Sequence, residues 1–448
     1  MGRENARSVK WVEGLRGIAS VLVIVTHLAR AFDYLLFWPK DNADTTPRLL
    51  QYPIIRVPWQ GRIGVPIFAF LTGFVCALKP LKLSQAGNLH AAYEAIAKSA
   101  FRRPPRLILP ATIALLISWV FTVFGGYRAS SRCDSYWVRF DSPIQEETLW
   151  LEVVRLFNTI RSTWTTNENI YDRHQWAMLR LLVGAFQVYI TLAATMAMRL
   201  RYRIAVYMGM MLYWWQDAAQ MSETFGVQLY FGMLISDLSQ QSSIQTFISS
   251  HRRALNYLAA PTLITCGLYF ASYPQEHQEW EPWSAYLQSL VPYFIPEALH
   301  PGEHGRRFTA IGTDLCIVGV FLSPAARLAL EQPWLMWLGR HSFAVYLIHG
   351  TILRTVGIWI VYGISGEPWH QAAEGEKQHW LHRQGGAPAV WVSMVTFVTL
   401  TYAGAWLWMR YVDEACARAT QWLEAKVFAS EDEGELEKAR EQRGPLLV

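Results

Sequence analysis

Apolar residues along this chain gather in ten runs separated by polar or charged segments. They fall at residues 15–31, 61–78, 107–125, 176–198, 204–215, 225–238, 257–273, 308–322, 335–362 and 389–409. Most approach the roughly twenty residues that carry a helix across a bilayer. The pattern predicts an all-α, polytopic membrane protein with about ten transmembrane helices. The run at 204–215 is short. The run at 335–362 is longer than a span needs, which predicts a tilted or broken helix. Residues 1–411 form the expected transmembrane domain. Residues 412–448 form a charged cytosolic tail, whose 431–443 part reads as a solvated helix or disorder.

Composition agrees: 52% of the 448 residues are hydrophobic and only 17% charged, less charge than a soluble protein of this size carries. The 21 tryptophans suit anchoring at membrane interfaces. A net charge of +5 without a Lys/Arg run gives no sign of a nucleic-acid partner. The placement of charge says more. Lys79, Lys82, Lys98, Arg102, Arg103 and Arg106 face a single acid, Glu94, between the second and third runs, and Arg199, Arg201, Arg203, Arg252 and Arg253 flank later ones. Acidic turns carry Asp217 and Glu223, then Glu276, Glu279, Glu281, Glu297 and Glu303. The positive-inside rule then puts both termini in the cytosol. The first run reads as a retained signal anchor. The five cysteines, Cys76, Cys133, Cys266, Cys316 and Cys416, form no framework and read as free or buried thiols, not as metal ligands.

Four segments carry candidate chemistry. Arg16 and His27 lie eleven residues apart on the first run, so on a helix they share a face about 16 Å apart along the axis. Ionisable groups inside a span mark functional sites, although both side chains can also reach opposite interfaces by snorkelling. Gly64, Thr72 and Gly73 allow close helix packing in the second run. Arg102, Arg103 and Arg106 precede the third, where their forks match phosphate oxygens or simply hold the loop inside. Ser342, Tyr346 and His349 are spaced i, i+4, i+7 and form one polar stripe, which lines a cavity or glues helices together. Asp314 is a further intramembrane acid. A neutral histidine can take a proton from a hydroxyl as it attacks an activated carbonyl, and the cations can hold an anionic donor. That set suits acyl transfer from a CoA thioester to an alcohol. It also suits a proton-coupled transporter or permease without acyl-transfer chemistry.

At these residues the chain resembles the integral-membrane acyltransferase family 3. Glu13-Gly14-Leu15-Arg16-Gly17 and His27 match its opening motif. Gly64-Val65, Phe68, Phe70-Leu71 and Gly73-Phe74 match its second span, with Thr72 and Ala69 as departures. Arg103, Arg106 and Pro110 resemble the basic start of the third span, and Leu338-Gly339-Arg340, Ser342-Phe343, Tyr346-Leu347 and His349-Gly350 its late signature. The resemblance implies ten helices, an acyl-CoA donor, acetyl-CoA foremost, arriving from the cytosol, and O-acylation of a hydroxyl. It carries the functional arginine and histidine to Arg16 and His27. Fungal-type members have Trp-Thr-x-Pro-x-Glu at the fourth span. Here Trp176 is followed by Leu179 and Leu181 at the proline and acidic positions, so either the activity diverges or another acid, such as Asp314, substitutes. The expected acceptor is a small lipophilic alcohol, such as a terpenoid or polyketide secondary metabolite. In a eukaryotic host the expected membrane is the endoplasmic reticulum.

Overall fold

A computed structural model describes the chain except residues 1, 61, 217–223, 298, 300, 364–367, 372–378, 383 and 429–448, and without the side chains of residues 2–9, 301, 368–371, 379 and 380. Gly61, Asp217, Glu223 and the 431–443 segment thus lie outside the described residues. Among the described residues the regular structure is helical apart from one antiparallel hairpin, Pro368–Gln371 with His379–His382.

Every apolar run is a helix. They are α1 (Gly2–Phe32), α2 (Gly64–Gln85), α3 (Leu89–Val123), α5 (Ala177–Thr195), α6 (Leu200–Gln216), α7 (Phe225–Leu238), α8 (Ala260–Ala271), α9 (His304–Leu322), α10 (Pro333–Ile352) and α11 (Ala387–Trp408); α4 (Leu149–Thr165) lies in the long connection before α5. Among the described residues, seven helical stretches are long and apolar enough to cross a membrane. The count is eight if α9 and Pro324–Leu330, bent by 104°, form one span. The remaining two, α6 and α7, are short. The 14 residues of α7 extend about 21 Å at 1.5 Å each, against a hydrocarbon layer of about 30 Å.

Two segments read as connections are helical. α2 runs on to Gln85, and α3 begins at Leu89 and passes through Pro104, Pro105 and Pro110. The described part of the tail is helical. α11 continues through a π-helical turn, Met409–Asp413, into α12 (Glu414–Val427), which packs on α3. The ninth run is one helical stretch, Pro333–Gly363, and not a broken one. α10 widens after Ile352 into two π-helical turns, Leu353–Gly357 and Trp359–Gly363. Such turns often mark functional positions.

In lipid, helices associate through close packing, since the surrounding tails are as apolar as the helices. The three tightest pairs are α2 with α7, α8 with α9, and α1 with α10. Each closes on glycine. A Cβ on Gly73 would strike the Leu229 carbonyl, and one on Gly339 the Glu13 carbonyl; Gly267 and Gly312 face each other in the same way. Two glycines of the opening motif, Gly14 and Gly17, sit against the backbone at Leu330 and Leu335. The α1/α10 contact is what brings His27 to His349.

Candidate active site

α1 carries Arg16 and His27 on one unbroken helix. Arg16 is half-buried and pairs with Glu13 one turn earlier, at 3.1 Å. His27 faces α10, where its Nδ1 lies 2.7 Å from His349 Nε2. A third imidazole, His174, comes from the turn Arg173–Trp176 that starts α5. The ring centroids of His27 and His174 are 4.4 Å apart, and Trp137 stacks on His27 at 5.4 Å.

The proton positions follow from the partners. His349 Nδ1 lies 3.0 Å from the Val345 carbonyl and 2.8 Å from that of Tyr346. Carbonyls only accept, so Nδ1 carries the proton and Nε2 of the neutral ring accepts. His27 Nδ1 is then the donor in the 2.7 Å bond. This leaves the lone pair of neutral His27 on Nε2. His174 is ordered differently. Its Nδ1 donates to Asp172 Oδ1 at 2.9 Å, and its Nε2 is buried without a partner.

Asp172 is held in turn by Arg354. The guanidinium donates to Asp172 Oδ1 at 2.8 Å and to the Gly350 carbonyl at 3.0 Å, and both side chains of the pair are fully buried. The Tyr346 hydroxyl donates to the His174 backbone carbonyl. Gly350 leaves the space in which His174 and Asp172 meet, since a Cβ there would lie 2.5 Å from His174 Nδ1 and 2.9 Å from Asp172 Oδ1. The preceding Tyr171 is fixed by Ser118, which donates to its carbonyl at 2.8 Å, and by Arg155 and Glu152 of α4 at its hydroxyl.

Among the described residues, His27, His174 and His349 are the group whose ligand atoms lie close enough to suit a metal ion, within 4.8 Å of one another. The 2.7 Å His27–His349 contact is a hydrogen-bond length. Two nitrogens on a tetrahedral zinc stand about 3.3 Å apart, given bonds of about 2.0–2.1 Å. As arranged, His27 and His349 share a hydrogen bond and His174 stands beside them with Nε2 unpartnered.

The other expected residues are placed as follows. Ser342 is buried on α10, two turns before His349. Asp314 is half-buried on α9 near Gln228, with Oδ1 buried, and lies outside the histidine cluster. On α3, Arg102 is engaged by Glu424 of α12, with Nε 2.5 Å from Oε2. Arg103 has a buried, unpartnered Nε, and Arg106 is exposed. Leu181 packs among apolar side chains, and the acid that reaches the histidines is Asp172. All five cysteines are free. Burial pushes the Cys133 thiol up to about 12, so it is no nucleophile at neutral pH.

Asp172, His174 and Arg354 were not singled out in the sequence. Arg354 had a readable signal, a charge inside an apolar run. Asp172 and His174 sit in a polar connection where such residues are ordinary.

Comparison with known proteins gives one coherent result. The family described as "Acyltransferase domain" matches residues 9–410. The chain is 23% identical to the O-acetyltransferase PaAT-1 of Phomopsis amygdali, an alignment that covers 96% of this chain and 87% of the relative. It is 22% identical to acyltransferase R4 of a Phoma species, covering 80% and 86%, and 20% identical to acyltransferase clz18 of Cochliobolus lunatus, covering 78% and 83%. No solved structure matches it significantly.

Proposed function

We propose that this chain, which belongs to the acyltransferase family matched over residues 9–410, moves an acyl group, acetyl foremost, from acyl-CoA to a hydroxyl of a small lipophilic acceptor. A terpenoid or polyketide alcohol fits the naming of a fungal relative as an O-acetyltransferase, and that fit is by analogy. The observation that carries the reading is the ordered imidazole pair. Carbonyls fix the His349 tautomer, His349 fixes that of His27, and His27 Nε2 is left as a base.

In the reaction, the acceptor hydroxyl gives its proton to His27 Nε2 as its oxygen attacks the thioester carbonyl carbon. The tetrahedral intermediate collapses, the C–S bond breaks, and the CoA sulfur leaves with the proton held by His27. Arg16, Arg103 and Arg106 bind the CoA phosphates from the cytosolic side, with Arg102 beside them. Ser342, Tyr346 and His349 line the acceptor cavity. The termini are cytosolic, and the endoplasmic reticulum is the membrane in a eukaryotic host. The Asp172–His174 pair supports a second reading, in which His174 Nε2 is the base and Asp172 steadies the imidazolium.

The test is untargeted mass spectrometry of cells expressing wild type, His27→Ala, His174→Gln or no protein, searched for compounds paired by the mass of one acyl group. A pair made by wild type and lost in His27→Ala supports the first reading. Loss in His174→Gln with activity kept in His27→Ala supports the second. Full product from both variants, or CoA-independent flux of the unmodified compound, removes both.

A further inference from the structure

The connection that delivers Asp172 and His174 contains a helix with its polarity reversed. On α4 the buried positions are Glu152, Leu156, Thr159 and Thr163, spaced i, i+4, i+7 and i+11. They form one helix face, and three of the four are polar. The face turned away from the protein carries Trp150, Val154 and Phe157, again at i, i+4 and i+7, with Trp150 72% and Phe157 68% exposed. A surface helix in water does the opposite and turns its apolar stripe to the core.

The depth of α4 supplies the reason. Its Leu156 packs with Leu115 of α3 and with Tyr171. Leu115 lies eight residues before Val123, the last residue of α3, or about 12 Å along the helix. That is near the middle of the apolar run at 107–125. Gln145, just ahead of α4, donates to the Val123 carbonyl at 3.0 Å, so the chain enters at the end of α3 and descends beside it. Within the same run, Leu116, Ile117, Val120 and Phe121 of α3 are exposed. α4 packs against this helix, and its apolar stripe extends the same surface. Arg161 continues the stripe and is exposed; a long arginine arm there reaches the headgroups by snorkelling.

Residues 166–176 then return toward the start of α5. Non-helical backbone at membrane depth is tolerated where protein satisfies it. Here the Ser162 hydroxyl donates to the Glu168 carbonyl at 2.7 Å, and the Asp172 amide donates to Asn169 Oδ1 at 2.8 Å. The polar face of α4 grips the same segment. Arg155 Nε donates to the Tyr171 hydroxyl at 3.1 Å, and that hydroxyl donates to Glu152 at 2.8 Å.

We propose that α4 and residues 166–176 form a re-entrant hairpin inserted in the membrane, and that the partner covering Trp150, Val154 and Phe157 is the hydrocarbon of the bilayer. Lipid then backs the helix whose other face holds Tyr171, the neighbour of Asp172. The assignment is independent of the reaction the histidines perform. The test places the photo-crosslinker p-benzoylphenylalanine at Trp150 or Phe157, one position at a time, in the full chain in phosphatidylcholine liposomes. Phe121 is the lipid-facing reference position and the exposed Thr46 the water-facing one. After illumination, mass spectrometry counts phosphatidylcholine adducts. Yields at Trp150 and Phe157 should match that at Phe121 and exceed that at Thr46 at least about 10-fold, as for an apolar face buried in the acyl region. Yields at the Thr46 level overturn the proposal, as do chain-to-chain adducts in place of lipid ones, which would assign the face to a second copy. Val154→Asp gives a second reading without the crosslinker. Its thermal unfolding midpoint in liposomes should fall by several degrees, because a charge enters hydrocarbon; an unchanged midpoint overturns the proposal.

Discussion

Gly350→Ala adds one methyl group to the helix that carries His349, and its effect can be worked from the coordinates. The new Cβ would lie 2.5 Å from His174 Nδ1 and 2.9 Å from Asp172 Oδ1. Comfortable contact is about 3.5 Å, so His174 has to retreat by about 1 Å. It cannot do so freely, because Asp172 is tied to Arg354 and the His174 carbonyl to Tyr346. A misplacement of about 1 Å costs about 100-fold in rate, or about 2.7 kcal/mol in the barrier. Stability changes less. Overpacking costs about 1–3 kcal/mol, while alanine in place of glycine inside a helix returns about 1 kcal/mol. The variant should therefore fold, and on the reading in which His174 is the base kcat should fall about 100-fold, whereas on the reading in which His27 is the base it should fall less. The assay is CoA release by the full chain in nanodiscs, using the acceptor found by mass spectrometry, with thermal unfolding alongside. Gly209→Ala is the control, since nothing lies within 4 Å of its Cβ position. Wild-type kcat in Gly350→Ala, or an equal loss in Gly209→Ala, would refute the geometry.

Two further outcomes follow from the charged pairs. Arg354→Leu leaves Asp172 buried without its cation and should cost about 3–5 kcal/mol; thermal unfolding should show the loss, and adding Asp172→Asn should restore part of it. Arg106→Ala should raise the KM for acyl-CoA several-fold at low salt and less at high salt, where screening is stronger. Arg102→Ala should raise it less, because Glu424 already occupies that guanidinium; an unchanged KM in Arg106→Ala would remove this cluster from the donor site.

The helices were legible because apolar runs of span length have few other uses. The connections were less so. Pro104 and Pro105 precede the third apolar run, yet α3 passes through them, since a continuous helix can form where neighbours re-satisfy the freed carbonyl groups. Arg16, His27 and His349 stood out as polar groups in apolar surroundings, and α1 packing on α10 unites the two histidines. His174 and Asp172 became visible only when the connection before α5 folded back over them. Gly350 was legible as a motif position, but its reason lies in atoms 176 and 178 residues earlier in the chain.

Arg16 and His27 ride on one continuous helix, about 16 Å apart along its axis, so the interval between them is set by the helix itself. On the proposed reading, phosphates are read at one depth of the membrane and the thioester at another. On that reading the donor has to span that interval before it can react. A ruler of this kind discriminates by the length of the carrier arm rather than by the acyl group at its tip. It also gives the chemistry a sidedness. On that reading the carrier enters and leaves by one face, while the ester is made close to the other. An acceptor dissolved in the membrane would be modified as it drifts toward the far leaflet, and the product would be released there without any part of the bundle having to rock.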